Sequence, residues 1–402
     1  MAERDVEVLK TALCAEVDRL ADVLVRVSQE LHAHPELGFD EHFAHGLLTA
    51  TLEQEGLHPE RAAFGVATAF RAEAGTTGPT IGVLCEYDAL PEIGHACGHN
   101  VIAAAGLGAG LAAAALAERA GGRVVIYGTP AEEGGGGKIA MARNGAFVEL
   151  DAAMMIHPAD ADLTRIDAIA VQQLRVTYHG KAAHAAAAPH EGRNALDAAV
   201  LGYQNVAALR QHIMSTERIH GVFTKGGDKP NIVPAEAQTF WYIRSPSIAS
   251  LQPLKARVFA CLEAGAIAAG CTMTHEWQDL SYADMRDNSS LLAAYSANAA
   301  RLGRTVDDPD RTGHRVVGST DMGNVSHLVP SIHPMIQVAP AGVPIHTVDF
   351  AVHAASAAGD RAVIDGAKAM GMTIIDAWCD ASVLADAGVG FGPAGPDRSV
   401  LL

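Results

Sequence analysis

Apolar residues recur at helical spacing along residues 6–34, with charges between them, and predict an amphipathic helix. The chain is then irregular until residue 80. Four short apolar segments follow, at 80–86, 123–129, 152–157 and 334–339. The first two flank an Ala- and Gly-rich run at 101–117, which stops at Glu118 and reads as a buried helix. Strand, helix and strand at that spacing form a βαβ unit. The expected class is therefore α/β, with a mainly parallel sheet buried on both faces. Each apolar segment runs into a loop that carries Asp, Glu or His. Ligands bind beyond the carboxyl ends of strands in such sheets, so a site is expected there.

The pattern changes between about residues 170 and 282. Residues 171–178 alternate as a half-exposed strand, 194–212 is helical, 221–224 and 237–244 are strands, and 251–270 is a helix. The order β-α-β-β-α predicts a small α+β layer inserted into the larger domain. The expected division is a discontinuous catalytic domain, 1–169 with 283–402, and an inserted domain, 170–282. The Gly- and Pro-rich tail, 388–397, reads as loose or draped on the surface.

Composition narrows the partners. The 402 residues are 49% hydrophobic, ample for a large core, and 46 acidic against 29 basic residues leave a net charge of −17. That balance speaks against nucleic acid or an anionic membrane surface, since both reward basic patches. The run at 101–117 is too short to span a membrane. The charged start has no apolar core of a secretory signal. The six scattered cysteines read as reduced thiols, so a cytoplasmic protein is expected.

Chemistry concentrates in two runs. The first extends from Cys85-Glu86-Tyr87-Asp88 to Cys97-Gly98-His99-Asn100, and the second is Thr129-Pro130-Ala131-Glu132-Glu133 followed by four glycines. A thiolate and an imidazole two residues apart can reach one metal pair, though such a triplet alone is more often structural. Asp88 adds weight, because a carboxylate can orient and polarise a ligating imidazole. Paired glutamates usually mean a solvated face. Glu132 and Glu133 instead follow an apolar strand and precede glycines, where one could bind metal while the other takes a proton from water. A phosphate-binding loop is not supported, because Ile139 stands where Ser or Thr is needed. Gly106, Gly108 and Gly110 lie inside the Ala-rich helix and imply close packing, not a dinucleotide fingerprint. His157 and His346 sit at expected strand ends. His184 lies in the inserted region, and His32, His34, His42 and His45 read as surface or capping residues.

Together these runs resemble the M20 metallopeptidase and amidohydrolase family. They are most similar to the branch with aminobenzoyl-glutamate hydrolases, N-acyl amino acid amidohydrolases and M20-domain-containing protein 2-like dipeptidases. The matching pieces run in family order. They are Glu86-Tyr87-Asp88-Ala89-Leu90-Pro91, His95-Ala96-Cys97-Gly98-His99-Asn100, Pro130-Ala131-Glu132-Glu133-Gly134-Gly135-Gly136-Gly137, Gly180-Lys181-Ala182-Ala183-His184-Ala185, Asn231-Ile232-Val233-Pro234, Gly318-Ser319-Thr320-Asp321-Met322-Gly323-Asn324-Val325-Ser326 and His346-Thr347. The resemblance implies two divalent ions per subunit, zinc or manganese, held by Cys97, His99, Glu133, His157 and His346, with Cys97 bridging. It implies Glu132 as general base and Asp88 as the carboxylate that supports the cluster. The inserted domain would be a lid and dimerisation domain. His184 would stabilise the oxyanion, across a homodimer, and Asn231 and Arg244 would hold the substrate's carboxylate. The expected reaction is amide hydrolysis in an N-acyl amino acid, an aminobenzoyl-glutamate-like compound or a dipeptide. The alternatives are a non-catalytic binding member of the same fold and a thiol-redox role for Cys97, which has no resolving cysteine nearby. Asn100 stands where an Asp is common after Cys-Gly-His, so it is a place to look for metal preference.

Overall fold

A computed structural model of the chain describes residues 5–384 and 396–401, so most of the tail expected to be loose lies outside the described residues. The chain forms two compact units: residues up to Ala168 together with those from Met285, and the segment Ile169–Asp284.

The amphipathic pattern at the start becomes the helix Val6–Ala33. Asp5 caps it by accepting from the amides of Glu7 and Val8, and Leu13, Val17, Leu20 and Leu24 are fully buried along one stripe. The first unit is built on a six-stranded sheet. Its order is Glu60–Arg61, Phe70–Ala74, Arg123–Gly128, Thr80–Cys85, Ala152–Met154 and Ser331–Ile332. The last four strands are parallel, and Phe70–Ala74 runs antiparallel to Arg123–Gly128. Alternate side chains face opposite ways. Ile81, Val83, Val124 and Ile126 pack toward the helices Val6–Ala33, His99–Ala120 and Ala357–Cys379, whereas Leu84, Val125 and Tyr127 pack with Met141, Met322 and Val325. Both faces are covered, as apolar parallel strands require.

The helix His99–Ala120 is long and apolar enough to cross a membrane by composition, but it is buried in the core. Its glycines serve close packing. A Cβ on Gly106 would lie 2.8 Å from the Leu84 carbonyl, and one on Gly110 would lie 2.5 Å from the Ile126 side chain.

Two strand expectations need correction. The segment 334–339 does not enter the main sheet. Met335–Gln337 pairs in parallel with His157–Ala159 in a separate ribbon, and Ser331–Ile332 takes the place beside Ala152–Met154. His157 therefore opens the ribbon and does not close the preceding strand. Pro158 and Pro334 lack an amide donor, which breaks a continuous ladder at this point. The antiparallel strand Phe70–Ala74 also lies within the stretch whose pattern is irregular.

The second unit is a four-stranded antiparallel sheet ordered Thr272–Tyr282, Ala170–His179, Glu236–Ser245 and Arg218–Lys225. One face, with Leu174, Val176, Tyr178, Trp241 and Ile243, is buried against the helices Ala195–Leu209 and Ile248–Ala268. The last strand, Thr272–Tyr282, completes a β-α-β-β-α-β order that the apolar pattern did not reach.

One buried carboxyl makes a stability prediction. Asp287 forms a bridge with Ser331, and its Oδ1 is buried without a hydrogen-bond partner. Burial lifts its pKa to about 7. The native state thus keeps a proton that the unfolded chain releases near pH ~4, and stability falls as pH rises from about 4 to 7. Asp287→Asn removes that penalty. Its Tm should exceed the parent's at about pH 8, with the gain vanishing toward about pH 4. Thermal unfolding across this range checks it, and a pH-independent difference would refute it.

Candidate metal centre and active site

The strand register sets the site. Cys85 pairs with Gly128, so the loops that leave these two strands emerge together at one sheet edge. The first loop reaches Cys97 and Gly98, and Gly98, at φ +82°, turns the chain into the helix that begins at His99. The second loop carries Glu132 and Glu133 and returns tightly. A Cβ on Gly137 would strike the Pro130 carbonyl at 1.8 Å. Ala131 and His346 both hold positive φ, 58° and 64°, uncommon for residues with a Cβ and frequent at functional sites. The His346 amide donates to the Ala96 carbonyl at 2.8 Å, which ties it to the Cys97 loop.

These connections bring the five expected ligands together. Cys97 Sγ lies 3.3 Å from His157 Nε2 and 3.2 Å from His346 Nε2. Glu133 Oε1 lies 3.3 Å from His346 Nε2 and 3.8 Å from His99 Nε2. Two groups of ligand atoms result, Cys97 with His99 and His157, and Cys97 with Glu133 and His346, each within 4.8 Å. Cys97 belongs to both. His99 Nε2 and Glu133 Oε1 are buried with no hydrogen-bond partner. Orphaned donor atoms around a shared sulfur fit a pair of divalent ions.

Hydrogen bonds orient the rings. His157 Nδ1 donates to the Pro158 carbonyl at 2.7 Å, which leaves the Nε2 lone pair toward Cys97. His99 Nδ1 donates to Asp88 Oδ1 at 3.0 Å, and the Glu133 amide donates to Asp88 Oδ2 at 2.9 Å. One carboxylate therefore orients two of the expected ligands. Burial works against the Asp88 charge, but His99 and these hydrogen bonds outweigh it and hold the carboxyl below its usual range.

Elsewhere crowding of anions dominates. Burial, then Glu86 and Glu133, push Glu132 well above the usual carboxylate range. Burial and Glu133 push the Cys97 thiol up in the same way. Burial, then His99, lower His157 to about 4, so its imidazole is neutral as a ligand must be. A bound cation reverses the sign of such effects on the thiol and carboxyls. Glu132 Oε2 is 3.9 Å from His99 Nε2, beside the ligand cluster, where a base is needed.

Several residues of the site carried no sequence expectation. Lys138 is fully buried and pairs with both Asp321, at 2.7 Å, and Glu86. His333 is also buried, its ring centroid 5.5 Å from that of His157, with no hydrogen-bond partner for either nitrogen. Glu86 and Asp321 stood inside matching motifs, which was the available signal. His32 and His45, expected at the surface, are partly buried, whereas His34 and His42 are exposed and His34 caps its helix through the Glu30 carbonyl. Asn100 does not face the ligands with its donor. Its Nδ2 donates to Ser28 Oγ at 2.9 Å and to the Ala354 carbonyl at 3.2 Å.

His184, Asn231 and Arg244 belong to the second unit. His184 is exposed, and its Nδ1 accepts from the amides of Ala186 and Ala187, so Nε2 carries the proton and is a donor. It bridges Ile232, and the Ala185 amide donates to the Asn231 carbonyl, so these two residues share one end of the sheet. Arg244 lies near the other end of Glu236–Ser245, its guanidinium 5.1 Å from the Tyr242 ring centre.

A profile of peptidase family M20/M25/M40 matches residues 82–374. This chain belongs to the M20 family. The chain is 41% identical over 389 residues to the Xaa-Arg dipeptidase of Mus musculus, covering 92% of this chain and 89% of that protein. It is 29% identical over 430 residues to one of the p-aminobenzoyl-glutamate hydrolase proteins of Escherichia coli (strain K12), covering 89% of each. Two solved structures share its fold. An aminobenzoyl-glutamate utilization protein from Klebsiella pneumoniae has a TM-score of 0.69 at 21% identity, over 88% of this chain and 98% of that one. A dinuclear metal-binding M20 peptidase from Bacillus subtilis also has a TM-score of 0.69, at 18% identity, over 90% and 99%. The M20 chain is thus a peptidase or amidohydrolase with a mostly parallel hydrolase domain.

The Asp88 geometry predicts metal affinity. Asp88→Ala should weaken zinc or manganese binding by about 10–100-fold, because two ligands lose their orientation. Competition with a chromogenic chelator measures it, and an unchanged affinity would count against the supporting role.

Proposed function

We propose that this chain hydrolyses the amide bond of a dipeptide, an N-acyl amino acid or an aminobenzoyl-glutamate-like compound, using two zinc or manganese ions per subunit. The observation that carries this reading is the pair of ligand groups sharing Cys97, with the Glu132 carboxylate beside them. The relatives act on such small substrates by name, an Xaa-Arg dipeptide and p-aminobenzoyl-glutamate.

Cys97, His99, Glu133, His157 and His346 would hold the ions. Bound there, divalent metal supplies Lewis acidity that acidifies water and polarises a carbonyl. Glu132 takes a proton from the attacking water at its carboxylate and delivers it to the leaving amine nitrogen. His184 donates from Nε2 to the oxygen that becomes negative, a contribution of about 3–4 kcal/mol for donors of this kind. Arg244 forks onto the substrate's α-carboxylate, with Asn231 as a second donor. A local guanidinium decides this contact, whatever the net charge of the chain.

A homodimer is the reading that distances inside the second unit support. His184 and Asn231 flank the Glu236 end of a strand on which Arg244 lies eight residues further along. At about 3.3 Å per residue the two strand ends are about 26 Å apart, too far for His184 and Asn231 of one copy to meet the same small substrate as that copy's Arg244. Two copies supply both ends, with the inserted unit as dimerisation domain. We also place the protein in the cytoplasm, a reading supported by six free cysteines.

A screen of Xaa-Arg dipeptides, N-acyl amino acids and aminobenzoyl-glutamate with zinc and manganese tests the function. At least one should be cleaved only with metal present. Glu132→Ala should keep its metal while kcat falls about 10²–10⁴-fold. Metal binding without turnover of any substrate would favour a binding protein on this scaffold. His184→Ala and Glu132→Ala are each expected to be slow alone. Mixed together, they should regain activity through heterodimers, and no recovery would place His184 in its own subunit's reaction.

A further inference from the structure

Lys138 has no part in the reaction as described, yet it is fully buried and paired with Glu86, beside the candidate ligand cluster. Its Nζ lies 2.7 Å from Asp321 Oδ1 and pairs with Glu86 Oε1, and its own amide donates to Asp321 Oδ2 at 2.9 Å. Both carboxylates are completely buried. Burying an ammonium is costly unless it is fully paired, and both partners of this one are themselves buried carboxylates.

Glu86 is the informative partner. It follows the strand Thr80–Cys85, and its Oε2 lies 3.6 Å from His99 Nε2, the ring atom presented to a metal. Glu86, His99 and Glu132 offer atoms within 4.8 Å of one another, a third possible ligand group. A carboxylate in that position has two harmful options. It can join the coordination sphere, or it can repel Glu132 from the place where a base is needed. An ion pair with Lys138 gives Glu86 a different partner. Lys138 also stands in the first turn of the helix Gly137–Arg143, just after the Glu132 loop, so its double contact with Asp321 fixes where that loop ends.

We propose that Lys138 is a positioning residue that keeps Glu86 out of the metal coordination sphere and holds the Glu132 loop in register with it. The inference rests on the metal-dependent reading above and adds a requirement to it.

Cobalt(II) substitution tests it, because its visible spectrum reports the ligand set independently of turnover. In Lys138→Met, the cobalt bands should shift as Glu86 joins the metal. The kcat should drop about 10–100-fold, as for other groups that orient a metal site, with KM nearly unchanged. Glu86→Gln/Lys138→Met removes the competing carboxylate and should return the spectrum to the parent's form and recover much of kcat. A merely structural lysine would lower Tm and leave the spectrum alone, which would overturn the proposal. A double variant no better than Lys138→Met would overturn it too. If Lys138→Met does not fold, Glu86→Gln/Lys138→Met/Asp321→Asn, which removes the three charges together, carries the same comparison, and an altered spectrum there would refute the role. A parent protein with no cobalt bands would instead sink the metal reading itself, and this inference with it.

Discussion

The pocket confines more negative charge than a dry interior tolerates. Glu86, Asp88, Glu132, Glu133 and Asp321 converge there with the Cys97 thiol, and most of these groups are fully buried. Two like charges about 4 Å apart repel by about 4 kcal/mol at an effective dielectric near 20. Such a cluster persists only if positive charge is supplied on the spot. Among the described residues Lys138 is the one lysine or arginine that meets these carboxylates, and it neutralises the Glu86 and Asp321 side. The Cys97, Glu133 and histidine side is left with orphaned donor atoms, the arrangement that a pair of divalent ions completes. Burial, and after it the neighbouring carboxylates, raise the pKa values of Cys97 and Glu132.

The fold answers this constraint through strand ends. Parallel strands deliver their loops to one edge, so residues far apart in sequence meet without any strand being lengthened or bent. Asp88 then converts proximity into geometry, since one carboxylate fixes the ring of His99 and the backbone of Glu133. The left-handed backbone at Ala131 and His346 shows where the chain accepts local strain to aim a side chain.

Much of the site was legible because its parts are local. Cys97 with His99, and Glu132 with Glu133, are short runs after apolar strands, and the family resemblance joined them to His157 and His346. Lys138 was not legible, because its meaning depends on Asp321, 183 positions away, and a lysine after glycines suggests only a phosphate loop to be rejected. The strand Thr272–Tyr282 escaped for a related reason. It lies at a sheet edge, and its inner face is marked by only Met273 and Trp277 with His275 between them, a faint alternation. Ser331–Ile332 is two residues long, and only its pairing with Ala153 and Met154 identifies it. The dense alanine and glycine helix, by contrast, was legible as core, because small residues in a long uncharged run have few other uses.

Metal preference depends on which groups these contacts hold near the candidate ligands. Asn100 departs from the residue common at its position, which made it the natural place to look. Its amide donor is engaged by Ser28 and Ala354, so it joins the site helix to its neighbours and would influence bound ions only through the placement of that helix. Glu86 approaches the ring of His99, a proposed ligand, directly, and it is paired with a lysine, on which the proposal that it stays uncoordinated rests. Hard oxygen ligands favour manganese over zinc, and a thiolate does the reverse. A carboxylate poised at 3.6 Å from the ligand histidine is therefore the group whose restraint bears most directly on which metal this centre selects.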